Sequence, residues 1–218
     1  MNIPKSSYLL INPKKYRSLA KLLLPKLSTL LGNRVTFKNE IHRGSEFAIG
    51  NFDIKQNEGL YTLDYDEAQS IITSNQKKTN SDPKSLDSPI VKKILTCFLT
   101  DINDDTLVRA EVKLIQTQTF PFKFNPHRDS QFRRLRHITY LATVILDAGG
   151  ISGGNMQLFH SDNDKLGPFN LIEELPVEPG IGYIVDENPQ LIFHGMKTAI
   201  QTEEKGHRSA LLVRFFNT

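Results

Sequence analysis

Residues 137–160 read HITYLATVILDAGGISGGNMQLFH, and this stretch decides the fold. Two runs rich in Ile, Val, Leu, Thr and Phe, 137–146 and 155–159, flank the pairs Gly149-Gly150 and Gly153-Gly154. β-Branched and aromatic residues suit a pleated, half-buried surface, and paired glycines mark tight turns. The glycines invite comparison with a phosphate-binding loop. Such a loop needs a helix behind it, so that the helix dipole meets the anion. Met156 to Phe159 reads as a strand instead, so the glycines predict a turn between strands.

The same texture extends to both sides. Further strands are expected at 107–120, 171–177, 181–185, 191–198 and 209–216. Turn residues separate them: Asn125-Pro126, Gly167-Pro168, Pro179-Gly180 and Asn188-Pro189. Short strands with regular turn signals and no helices between them predict an all-β barrel or sandwich. Upstream the pattern changes. Asn12 can cap a helix that opens with Pro13. Tyr16, Leu19, Ala20, Leu23, Leu27, Leu30 and Leu31 then recur at helical spacing, with a kink or a split expected at Pro25 and a stop at Gly32. A second helix is expected from Ser88-Pro89, burying Ile90, Val91, Ile94, Cys97 and Phe98. A short helix at 66–73 and an exposed loop at 74–84 fill the polar sequence between them. The expectation is one domain over 1–218, with a helical or irregular part at 1–105 packed on a β core at 106–218.

Composition narrows the class. The chain has 218 residues, 39% hydrophobic and 23% charged, as in an ordinary globular protein. A formal charge of +3 gives no basic stripe for nucleic acid. One cysteine, Cys97, excludes an intrachain disulfide and a cysteine zinc site. No apolar run suits a membrane helix or a signal peptide, so a reducing cytoplasm is the expected location.

Three polar groups stand where strands end: His127-Arg128-Asp129; His194 within Leu191-Ile192-Phe193; and Gly206-His207-Arg208-Ser209. Two histidines and one carboxylate in this order form the ligand set of a facial triad, which leaves open positions on Fe(II). On an extended segment residues i and i+2 point the same way, so His127 and Asp129 can face one metal. His-x-Asp alone is weak, and a lone histidine in an apolar strand is usually a packed core residue. The joint pattern, with an arginine 14 residues beyond His194, is far more specific. An arginine fork pairs both oxygens of a carboxylate and keeps its charge when buried.

From Val108 to Phe216 the chain resembles the Fe(II)- and 2-oxoglutarate-dependent dioxygenases. The resemblance covers the metal motifs, the glycine-led strand 153–159, the turn Val177-Glu178-Pro179-Gly180, the strand around Phe193-His194-Gly195-Met196, and the ending Gly206-His207-Arg208-Ser209-Ala210-Leu211-Leu212-Val213. Within the superfamily it looks most like a bacterial group that includes free L-isoleucine hydroxylases. The resemblance implies a mainly β (α+β) fold, a double-stranded β-helix with flanking N-terminal helices. It implies Fe(II), 2-oxoglutarate and dioxygen as cofactor and co-substrates, with His127, Asp129 and His194 as catalytic metal ligands. Arg208 would hold the far carboxylate of 2-oxoglutarate, helped by a hydroxyl for which Tyr140 and Thr198 are the candidates. The expected reaction is hydroxylation of a small molecule, a free L-amino acid, with release of succinate and CO2. The rivals are hydroxylation of a protein or peptide residue and a non-catalytic β-barrel binding module. Arg133, Arg134 and Arg136 follow the metal motif. Their ordinary reading is a solvated loop, and their functional one is recognition of an anionic substrate by Arg133 and Arg136. Arg214 shares the strand face of Arg208 and either lines the cavity as a substrate contact or points outward across a bulge. His160 with Asp162 and Asp164 reads as plain loop.

Overall fold

A computed structural model describes residues 7–27, 45–69, 86–118, 120–131, 137–162, 167–187 and 191–217. Twelve strands are described: β1 (Tyr8–Leu10), β2 (Ser45–Asn57), β3 (Leu60–Asp66), β4 (Arg109–Thr117), β5 (Phe122–His127), β6 (Ile138–Gly149), β7 (Ile151–Gly153), β8 (Met156–His160), β9 (Asn170–Leu175), β10 (Gly182–Asp186), β11 (Ile192–Gln201) and β12 (His207–Phe216). Seven form one sheet in the order β1-β10-β6-β12-β4-β2-β3. Four form a second in the order β5-β11-β8-β9, with β7 joined to β11. The pairings are antiparallel. Two antiparallel sheets facing one another make the expected jelly-roll, or double-stranded β-helix.

Two helices, α1 (Pro13–Leu23) and α2 (Pro89–Ile102), cover the outer face of the large sheet. Asn12 caps α1 through Lys14 N, and Ser88 caps α2 through Ile90 N. Of the two outcomes expected at Pro25, the split is observed: α1 ends at Leu23 and the chain tightens into a 3-10 turn at Leu24–Lys26. Tyr16, Leu19, Ala20 and Leu23 meet Val91, Ile94, Leu95, Phe98 and Leu99, and both rows pack on Val112, Leu114, Val144, Leu211 and Val213. A second apolar core lies between the sheets, built from Ile145, Met156, Leu158, Tyr183, Val185, Ile192 and Ala210.

The N-terminal half differs from its sequence reading. It contributes three strands, not only helices and irregular chain. Ala48, Phe52, Ile54 and Leu63 are buried at period two, while polar residues dilute the apolar signal between them. Glu58 (φ 50°) and Gly59 (φ 79°) form a two-residue turn that fits the twist of β2 and β3. β5 was not expected either, because Pro126 reads as a turn. It lies at a sheet edge, where a proline removes no needed hydrogen bond. The expected loop 74–84, Leu30, Leu31 and Gly32 lie outside the described residues.

Two glycines separate packing from conformation. A Cβ at Gly182 would stand 2.0 Å from the Thr143 carbonyl oxygen, where β10 crosses β6. A Cβ at Gly59 would meet nothing within 4 Å, and only its positive φ favours glycine. We expect Gly182→Ala to cost about 3 kcal/mol, since backbone must move, and Gly59→Ala about 1 kcal/mol. Urea denaturation midpoints check this, and equal losses would contradict the packing argument.

Candidate metal centre

Strand register brings the two histidines together. His127, the last residue of β5, is paired directly with His194 of β11, although 66 residues lie between them in the chain. Their ring centroids are 4.2 Å apart. Asp129 follows two residues later on a 3-10 turn, Asp129–Gln131, rather than on an extended segment. The turn itself, not i, i+2 alternation, aims the carboxylate at the imidazoles. Glu187 steadies it: the backbone N–H of Ser130 donates to Glu187 Oε2 at 3.2 Å.

The three ligand atoms lie within 4.8 Å of one another. Asp129 Oδ1 is 3.8 Å from His127 Nε2 and 3.7 Å from His194 Nε2. These are too long for hydrogen bonds, so three lone-pair donors converge without satisfying each other. The His127 tautomer suits a ligand. Its Nδ1 lies 2.8 Å from the Asn125 carbonyl oxygen, which only accepts, so Nδ1 carries the proton and Nε2 offers its lone pair. His194 is buried, and its Nδ1 has no partner among the described residues.

Arg214 fixes the carboxylate. Its Nε donates to Asp129 Oδ2 at 2.6 Å, and its Nη1 donates to Glu111 Oε1. With Oδ2 held, Oδ1 is the oxygen left facing the histidines. Arg214 therefore lines the interior, but as the partner of Asp129 and Glu111 rather than at a free surface. Burial presses the Asp129 carboxyl upward. Arg214, with His194 and then His127, outweighs burial and holds it at about 2. Burial pushes His194 down to about 3, His127 and Arg214 adding to the shift and Asp129 opposing it. At neutral pH both groups thus stand in the form that binds a metal, carboxylate and neutral imidazole. Two imidazoles and one oxygen of a carboxylate make a donor set for Fe(II) and similar divalent ions.

Arg208 lies at the other end of β12 from Arg214, and six residues apart the two share a face. It is 7% exposed, its Nε has no hydrogen-bond partner, and it forms no ion pair among the described residues. Burial lowers it to about 10, with Tyr183 opposing, so it stays charged. Burying a cation without a counter-charge is costly, and an anion placed beside it would offset that cost.

The two hydroxyls expected beside Arg208 lie elsewhere. Tyr140 is at the opposite end of β6, where it bonds Asp104 and packs on the outer core. Thr198 is exposed on β11. Residue counting along a twisted strand does not show which end reaches the arginine. The hydroxyl that couples to Arg208 is that of Tyr183, which burial pushes well above the ordinary phenol value while a hydrogen bond with Thr143 and then Arg208 oppose. Thr143 is its directly paired neighbour on β6. An internal tyrosine in the run Gly182-Tyr183-Ile184-Val185-Asp186, before the distal histidine, was the signal available in the sequence. Arg133, Arg134 and Arg136 lie outside the described residues. His160 ends β8 and is buried, not part of a loop.

No protein-family model matches the chain, and no curated protein matches it. Solved structures do. A bsmA homolog from Methylobium petroleophilum PM1 aligns with a TM-score of 0.64 and 13% identity, over 97% of this chain and 89% of that one. A prolyl hydroxylase from Trichoplax adhaerens, in complex with a hypoxia inducible factor oxygen degradation domain peptide fragment, aligns at 0.59 with 12% identity, over 98% and 84%. The Fe(II)/(alpha)ketoglutarate-dependent dioxygenase TqaL aligns at 0.55 with 11% identity, over 96% and 81%. The chain shares the fold of these proteins.

Removal of Arg214 tests its clamp on Asp129. Arg214→Met should weaken Co(II) binding by about 10- to 100-fold, with Arg214→Lys between the two. Titration of the Co(II) absorption bands checks this, and unchanged affinity in a folded Arg214→Met protein would show that Asp129 needs no such partner.

Proposed function

We propose that the chain is an Fe(II)- and 2-oxoglutarate-dependent dioxygenase that hydroxylates a small molecule, a free L-amino acid being the expected substrate. One observation carries this reading: a convergent His-Asp-His set shares an interior with Arg208, a buried guanidinium without a carboxylate partner among the described residues. A metal site alone suits many enzymes. A metal site with an anion anchor set apart from it suits a chelating dicarboxylate. The resemblance of the motifs to the group that includes free L-isoleucine hydroxylases supports the amino-acid substrate. The lone Cys97 suits a reducing cytoplasm, where iron stays ferrous.

In this reading His127, His194 and Asp129 Oδ1 hold the iron. Bound iron supplies the activation of dioxygen, coupled to decarboxylation of 2-oxoglutarate to succinate and CO2. The chain's own residues bind and orient. Arg208 takes the far carboxylate through its planar fork, and the Tyr183 hydroxyl donates to the same group. Arg214 keeps Asp129 Oδ2 engaged, so that a single oxygen ligates. Ile145, Leu158 and Ala210 keep water from the space between the sheets.

Succinate release tests the proposal. Protein supplied with Fe(II), 2-oxoglutarate and an amino-acid panel should form succinate, and His127→Ala and Asp129→Ala should abolish it. Arg208→Met should raise the KM for 2-oxoglutarate by at least about 30-fold, the loss of a buried charge-assisted pair. Tyr183→Phe should raise it about fivefold. Succinate formation that persists in His127→Ala would remove the assignment.

A further inference from the structure

The three candidate ligands are held in different ways. His127 and His194 stand on strands, and the register of β5 with β11 fixes both. Asp129 lies past that last strand pairing, on the 3-10 turn Asp129–Gln131. Strand register therefore does not set its position, and side chains that reach the turn from elsewhere must do so.

Two such side chains come from the large sheet. Arg214 of β12 engages the Asp129 carboxylate through Oδ2. Glu187 engages the backbone instead. It follows the end of β10 and is 1% exposed. Its own backbone N–H donates to the Thr139 carbonyl at 2.9 Å, which ties it to the start of β6. Its Oε2 accepts the backbone N–H of Ser130 at 3.2 Å, across 57 residues of chain. The first N–H groups of a helical turn have no partner within the turn, so Glu187 supplies one that the local sequence cannot. Its Oε1 is buried and has no hydrogen-bond partner. The side chain is thus fixed to the turn through Oε2 alone among the described residues, and it bonds none of the three ligand side chains.

We propose that Glu187 is a positioning residue of the metal centre: by holding the Ser130 N–H it sets where Asp129 Oδ1 stands, and so the affinity and coordination geometry of the bound divalent ion. This rests on the reading of His127, Asp129 and His194 as metal ligands and deepens it. Arg214 sets the rotation of the carboxylate, and Glu187 sets the backbone on which it rotates. Glu187 acts without touching the metal or its ligand atoms.

The probe is Co(II), titrated into the purified protein and read through its visible absorption bands. Glu187→Met should weaken Co(II) binding about tenfold and shift the bands. Glu187→Gln keeps an oxygen acceptor for the Ser130 N–H without the charge, and should restore both affinity and bands. Asp129→Ala keeps two imidazoles for Co(II). In that protein Glu187→Met should change the Kd by less than about twofold, because residues that act through one another are not additive. Thermal melts of the metal-free proteins establish that each variant is folded, and Glu187→Ala takes the place of a methionine variant that is not. A folded Glu187→Met protein with wild-type Co(II) affinity and bands would leave Glu187 a residue of the fold only and overturn the proposal. So would a Glu187→Gln protein as impaired as Glu187→Met, which would assign the effect to charge. An undiminished loss in the Asp129→Ala background would overturn it too, since Glu187 would then act by another route. A wild-type protein that binds no Co(II) would strike the metal centre and the dioxygenase reading with it, a result separable from the others.

Discussion

The contact between Arg214 and Asp129 joins the two sheets at the candidate metal centre. Arg214 belongs to β12 of the large sheet, and Asp129 follows β5 at the edge of the small one. Both are buried, and an uncompensated charge in that position costs several kcal/mol, so Asp129 depends on Arg214, which Glu111 also neutralises. The pair therefore ties the local docking of the sheets to the orientation of one carboxylate. Glu111 extends the chain of charges to β4. The result is a ligand set whose geometry follows from sheet register, with His127 and His194 paired across β5 and β11 and Asp129 clamped from the facing sheet.

The same architecture separates tasks along one strand. β12 presents Arg208 at one end and Arg214 at the other, with Ala210 and Leu212 between them on the same face. The first guanidinium has no carboxylate among the described residues and the second has two. That asymmetry leaves one end of the strand with an unpaired guanidinium and the other with a guanidinium clamped between two carboxylates. On the outer face of the sheet, α1 and α2 seal the hydrophobic side, so the functional groups are confined to the inner one.

Much of this was legible in the sequence. Strands after residue 106 carry enough Val, Ile and Leu between glycine and proline turns to declare themselves, and His127, Asp129 and His194 fit a known ligand order. Other parts depend on contacts that spacing does not encode. β2 and β3 alternate buried apolar with polar residues, and their Glu58-Gly59 turn is a weaker signal than Asn-Gly. β5 hides behind Pro126, which only an edge strand tolerates. Tyr140 and Thr198 were plausible partners for Arg208, yet one packs at the far end of its strand and the other faces solvent. Tyr183 shares the interior with Arg208 and couples to its charge, a relation that appears only once strand order is known. The sequence left two orientations open for Arg214. The inward one holds because Asp129 and Glu111 are there to meet it.

The central claim is that one interior holds both iron and 2-oxoglutarate. Anaerobic addition of Fe(II) and 2-oxoglutarate to the purified protein tests it most directly, through the visible metal-to-ligand charge-transfer absorption of the keto-acid chelate. The account predicts a band that requires both additions and is absent from the His127→Ala and Asp129→Ala proteins. A wild-type protein that shows no band and binds no iron would contradict it.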